Sequence, residues 1–130
     1  MLSPSDYLRV LGDAGVTFFT GIPDSLLKEF CACVTMTCKP EDHLIAANEG
    51  ASIGLAIGHY IGTGSLPLVY LQNSGLGNVV NPLLSLASPE VYGTPMLLML
   101  GWRGEPGKKD EPQHVHQGRV MMKILENMDL

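Results

Sequence analysis

A lone carboxylate in an apolar stretch is the first sign of chemistry in this sequence. Glu49 sits in Ala46-Ala47-Asn48-Glu49-Gly50-Ala51, with no cation nearby in the chain. A carboxyl group out of water keeps its proton more readily, so such a glutamate can share a proton with a ligand. The plainer reading is a carboxylate stabilised by the first turn of a helix. Asp24, in Gly21-Ile22-Pro23-Asp24-Ser25, has two readings as well. It can relay a proton or orient a substrate, and it can cap the following helix, an interaction worth about 1 kcal/mol. His114 and His116 stand in a charged segment, where a histidine either titrates usefully or is solvated.

Several familiar chemistries are excluded. Gly75-Leu76-Gly77-Asn78-Val79-Val80 carries valine where a dinucleotide fingerprint needs its third glycine. No Gly-x-Ser-x-Gly elbow and no phosphate P-loop occur. Cys31 and Cys33 point to different faces of a helix, and with Cys38 they find no fourth ligand, so no metal site is expected. Three cysteines without a paired framework fit a reducing, cytoplasmic setting. A formal net charge of −5 gives no footprint for nucleic acid or an anionic membrane. The start, Met1 to Asp6, has neither a basic nor an apolar leader region, so no secretory leader is expected.

The elements that must position these residues follow from pattern. Between His43 and Trp102 only Glu49 and Glu90 are charged, so this stretch is core or subunit interface. Gly50, Gly54, Gly58 and Gly62 form a bare ridge on a helix, at a propensity cost of about 3–4 kcal/mol that close packing must offset. Apolar, β-branched runs at 16–20, 43–47, 66–72 and 95–100 predict four strands. Helices are expected at 4–14, 26–34, 49–61, 79–86 and 118–127, with a charged loop over 101–117. Strands that do not alternate, separated by helices, predict an α/β fold: a three-layer, doubly wound parallel sheet in a single domain over 1–130. Ligands of such sheets bind at the carboxyl ends of the strands, here the loops 21–25, 47–50, 72–78 and 101–117.

Five segments in this order resemble a known family. They are Phe19 to Leu27, Ala47-Asn48-Glu49-Gly50, Gln72 to Asn78, Gly101 to Gly107, and Asp110 to His114. Together they resemble the N-terminal pyrimidine-binding (Pyr) domain of phosphonopyruvate decarboxylase, a thiamine diphosphate enzyme, and its relative, the α subunit of sulfopyruvate decarboxylase. The resemblance implies that Glu49 hydrogen-bonds N1′ of the cofactor's aminopyrimidine. It implies that Gly21, Ile22, Pro23, Asn73, Ser74, Gly75 and Asn78 line the cofactor, and that Asp24 and His114 are catalytic. Ser25, Gln113 and His114 would meet a 2-keto acid substrate, and Arg103, Lys108 and Lys109 are candidates for its anionic tail. In this family diphosphate and Mg²⁺ are bound by a second, PP domain, whose Gly-Asp-Gly mark is missing; Gly12-Asp13-Ala14-Gly15 reads as a helix stop. The implied partner is a PP-domain subunit or domain, in a homo- or hetero-oligomer. A non-catalytic, regulatory Pyr module is the alternative.

Overall fold

A computed structural model describes residues 3–130. Met1 and Leu2, the first residues of the segment read for a leader, lie outside the described residues. Helix α1 (Pro4–Asp13) starts where Ser3 accepts a hydrogen bond from the Asp6 N–H, with Pro4 at its first position. Gly15, at φ +88°, ends that segment as the sequence predicts and turns the chain into strand β1 (Val16–Gly21). There follow α2 (Lys28–Thr37), β2 (His43–Ile45), α3 (Glu49–Thr63), β3 (Leu66–Gln72), α4 (Leu76–Pro82), β4 (Leu97–Gly101) and α5 (Pro112–Asn127).

All strand pairs are parallel, in the order β2-β1-β3-β4. Side chains alternate across each strand and so feed two separate cores. Leu68 and Tyr70 of β3 pack with Leu11, Phe19, Phe30 and Val34, under α1 and α2. Val69 and Leu71 pack with Ile53, Ile57, Val79 and Met121, under α3, α4 and α5. The expected three-layer, doubly wound α/β architecture is therefore present. Because β2 lies on one side of β1 and β3 on the other, the winding reverses between β1 and β3. At that point Gly21 meets Tyr70: a Cβ on Gly21 would stand 1.9 Å from the Tyr70 carbonyl oxygen. Only glycine allows the two strand ends this approach.

Three expectations need correction. The segment read as a loop over 101–117 ends early, because α5 begins at Pro112. Gln113, His114 and His116 therefore lie on a helix. The overlooked signal is Pro112 itself, whose fixed φ suits the first helical position. The helix expected at 79–86 starts instead at Leu76, directly from a 3₁₀ turn at Asn73–Gly75, and gives way to a π turn at Leu83–Ala87. Strand β2 is shorter than expected and ends at Ile45, with Leu44 and Ile45 exposed at the sheet edge.

Candidate functional site

Glu49 opens α3, with Asn48 as its cap: the Asn48 side chain accepts from the Ala51 N–H at 2.9 Å. The carboxylate thus stands at the positive end of the helix dipole. Its Oε2 accepts from Asn78 Nδ2 at 2.8 Å. The group lies flat on the backbone of the next loop, since a Cβ on Gly75 would come within 2.6 Å of Glu49 Cγ and Oε1. Glu49, at the start of α3, and Gly75 and Asn78, at the turn into α4, are thereby gathered into one cradle. Among the described residues, no hydrogen bond is made to Oε1 and no cation pairs with the group.

Asp24 ends the turn after β1 and is buried, 7% exposed. Its Oδ2 accepts from the Leu26 N–H at 3.1 Å, so the expected capping role is realised. It too lies on a glycine: a Cβ on Gly101, the last residue of β4, would sit 1.9 Å from Asp24 Oδ2. Neighbouring Ser25 accepts from Arg103 at 3.0 Å. The Arg103 guanidinium grips Asp110 through Nε and Nη2, the latter at 2.5 Å. Those bonds and the Gly104 N–H hold the Asp110 carboxyl well below the usual carboxylate range. Arg103 is thus engaged within the chain, whereas Lys109 is exposed and Lys108, also exposed, pairs with Glu105.

The remaining expected residues fall into three groups. Gly21 is buried under Tyr70, while the Ile22 N–H donates to the Tyr70 carbonyl and Pro23 is exposed. Asn73 is buried and both ends of its amide bind the Arg103 backbone: Nδ2 donates to the carbonyl at 2.8 Å and Oδ1 accepts from the N–H at 3.2 Å. Ser74 is exposed. Gln113 and His114 occupy the first turn of α5, which packs on Gly104, and His114 hydrogen-bonds to neither carboxylate. Among the described residues, the buried polar atoms His114 Nδ1 and Gln72 Oε1 have no hydrogen-bond partner. Gly101, Gln72 and Asp110 are the residues that sequence reasoning missed. Each opens one of the segments that carry the resemblance, but no local pattern marks it as part of the site.

A helix-borne carboxylate with one free oxygen, at the carboxyl end of a parallel sheet, is suited to hold a proton against a ring nitrogen. Comparison with known proteins gives the family. Residues 6–125 match the family described as thiamine pyrophosphate enzyme, N-terminal TPP binding domain. The chain belongs to this family. Similar proteins include a phosphonopyruvate decarboxylase of Streptomyces hygroscopicus, 42% identical over 92% of this chain and 29% of that protein. Another phosphonopyruvate decarboxylase, from Streptomyces viridochromogenes, is 37% identical over 100% of this chain and 32% of its own length. The sulfopyruvate decarboxylase subunit alpha of Methanococcus maripaludis is 33% identical over 98% of this chain and 73% of that subunit. The chain thus spans about a third of the phosphonopyruvate decarboxylases it matches. Among solved structures, a protein described as a thiamin diphosphate-dependent enzyme from Mycobacterium smegmatis shares the fold. It has a TM-score of 0.63 and 24% identity over 79% of this chain and 19% of that one.

Among the described residues no cluster of three or more His, Cys, Asp or Glu is arranged to hold a metal ion. No described helix is long and apolar enough to cross a membrane.

Proposed function

We propose that this chain is the pyrimidine-binding part of a thiamine diphosphate-dependent 2-keto acid decarboxylase that converts phosphonopyruvate to phosphonoacetaldehyde and CO₂. The observation that carries this reading is the Glu49 cradle: a carboxylate at a helix N-terminus, pressed on Gly75, with Asn78 on one oxygen and the other free. The cradle fits an aminopyrimidine because a planar ring nitrogen can share a proton with Oε1 while Asn78 fixes Oε2. Thiamine diphosphate, when bound, supplies the electron sink for loss of CO₂. Glu49 holds the proton at N1′. Asp24 and His114 handle the proton that replaces the carboxylate of the substrate, and Ser25 and Gln113 meet the substrate. Ile22, Pro23, Ser74 and Gly75 line the cofactor, and Gly21 and Asn73 shape its pocket from behind.

Diphosphate and Mg²⁺ fall to a PP domain, on the same or another chain. The ridge of α3 is the face we assign to that partner: Gly54, Gly58 and Gly62 are exposed and a Cβ on any of them would meet nothing within 4 Å. Three free thiols suit a reducing cytoplasm. A second reading is the α subunit of a sulfopyruvate decarboxylase, favoured by the 73% of the Methanococcus maripaludis subunit that the chain spans.

Calorimetry with thiamine diphosphate and Mg²⁺ tests the proposal, on the chain alone and then with a PP-domain subunit of a related enzyme. CO₂ release from phosphonopyruvate and from sulfopyruvate is followed in parallel. Binding and turnover with the partner support a decarboxylase, and the faster substrate decides between the two readings. No binding and no turnover in either case would leave a regulatory module.

A further inference from the structure

Arg103 joins more of the carboxyl rim than any other side chain described here. Its backbone N–H and carbonyl are both bound by the Asn73 amide, from the loop after β3. Its Nη1 donates to Ser25 Oγ, in the turn after β1, across 78 positions of sequence. Its Nε and Nη2 fork onto Asp110, two residues before α5. Asp110 in turn accepts from the Gly104 N–H, on which the first turn of α5 packs. The guanidinium thus ties the turn after β1 to the loop after β4 and the entry to the last helix, while the main chain of the same residue holds the loop after β3. The planar fork suits this task because its donors point in fixed directions, which a lysine does not reproduce.

The clasp grips both neighbours of Asp24, the turn that carries it and the strand end it lies on. Ser25 is the next residue along the chain, and Gly101, which bears the Asp24 carboxylate, stands two residues before Arg103. We infer that Arg103, oriented by Asp110, is a positioning residue for Asp24: it holds the Asp24 turn against Gly101 so that the carboxylate keeps one place in the site. The inference rests on the role proposed above for Asp24. With Asp110 on two of its nitrogens and Ser25 on the third, the guanidinium is held in one orientation by this chain's own residues.

Two readouts test it. In the complete enzyme, Arg103→Lys should lower kcat for phosphonopyruvate about tenfold to a hundredfold, with KM nearly unchanged, because misplacement of a reacting group costs rate. Added to Asp24→Asn, the same substitution should cost nothing further in kcat, since two residues acting as a unit are not additive. On the chain itself, amide exchange reports the Asp24 cap. The Leu26 N–H should lose at least about tenfold of its protection in Arg103→Lys, while Val69 and Leu71 in β3 keep theirs. Ser25→Ala, the gentler variant, should move Leu26 in the same direction by less. Unchanged Leu26 protection, or kcat losses that multiply in the double variant, overturns the inference. If Asp24→Asn alone leaves kcat intact, the role proposed for Asp24 fails, and Leu26 exchange still decides whether the clasp holds the turn.

Discussion

Glu49 and Asp24 each lie against a bare glycine of a neighbouring segment, Gly75 in the turn after β3 and Gly101 at the end of β4, yet their surroundings are built differently. Glu49 is half-exposed and held by a single side-chain amide, that of Asn78. Asp24 is buried, accepts from a backbone N–H as a helix cap, and is followed by Ser25, which the Arg103–Asp110 clasp holds. The first arrangement leaves an oxygen available to a ligand. The second holds a carboxylate still. The two thus fit two tasks: one group that shares a proton with a bound ring and one whose place must not drift.

Filling the two glycines breaks the comparison most directly. In Gly75→Ala the new methyl would overlap Glu49 from Cγ outward, so the carboxylate must leave its cradle. Turnover of the complete enzyme should fall about a hundredfold or more, and binding of thiamine diphosphate should weaken in calorimetry. In Gly101→Ala the obstruction is the far end of the Asp24 side chain, which can swing aside. The fold should survive at a cost of about 1–3 kcal/mol in denaturant titration, with kcat down about tenfold to a hundredfold, as for Arg103→Lys.

The smallest effect lies on the sheet below the rim and sharpens the contrast by its distance from it. His43 Nε2 is 2.7 Å from the Tyr70 hydroxyl, and burial lowers the pKa of His43. Thr35 gives its hydroxyl proton to the Cys31 carbonyl, so the Nδ1 nitrogen of His43, 3.5 Å from Thr35 Oγ1, is the one that donates. Nε2 then accepts from Tyr70. With the folded value below the unfolded value of about 6.5, the unfolded chain takes up the proton first. The stability that neutral His43 contributes is therefore complete above about pH 6.5 and is lost as pH falls below it. Thermal midpoints of the wild type should drop more steeply through that window than those of His43→Gln, while the two carboxylate cradles are untouched.

How much of this was legible in the sequence differs between the same two regions. The strands announced themselves because both faces of β3 and most of β1 are buried, which fills nearly all of residues 16–20 and 66–72 with apolar, aromatic and β-branched side chains. Glu49 was legible because the next charge after it is Glu90 and it stands just past an apolar run, at the start of a helix. The Gly75 contact could not be read, since it depends on how two loops meet. The Asp24 side was harder still. The run Lys108-Lys109-Asp110-Glu111 looks like solvated loop, yet Asp110 is largely enclosed by Arg103 and Gly104. That partnership spans seven positions, and its link to Ser25 spans 78, so no local pattern encodes it. Pro112 was visible and marks the start of α5, which moves His114 from an open loop to the first turn of a helix.

The claim at the centre of this account is that the Glu49 cradle receives the pyrimidine ring. Glu49→Gln in the complete enzyme tests it most directly, because the amide keeps the size of the side chain and removes its ability to hold the proton. CO₂ release from phosphonopyruvate should fall by about 10²–10⁴ while the thermal midpoint of the cofactor-free protein stays close to that of the wild type. Turnover equal to that of the wild type, with the same folded protein, would contradict the claim.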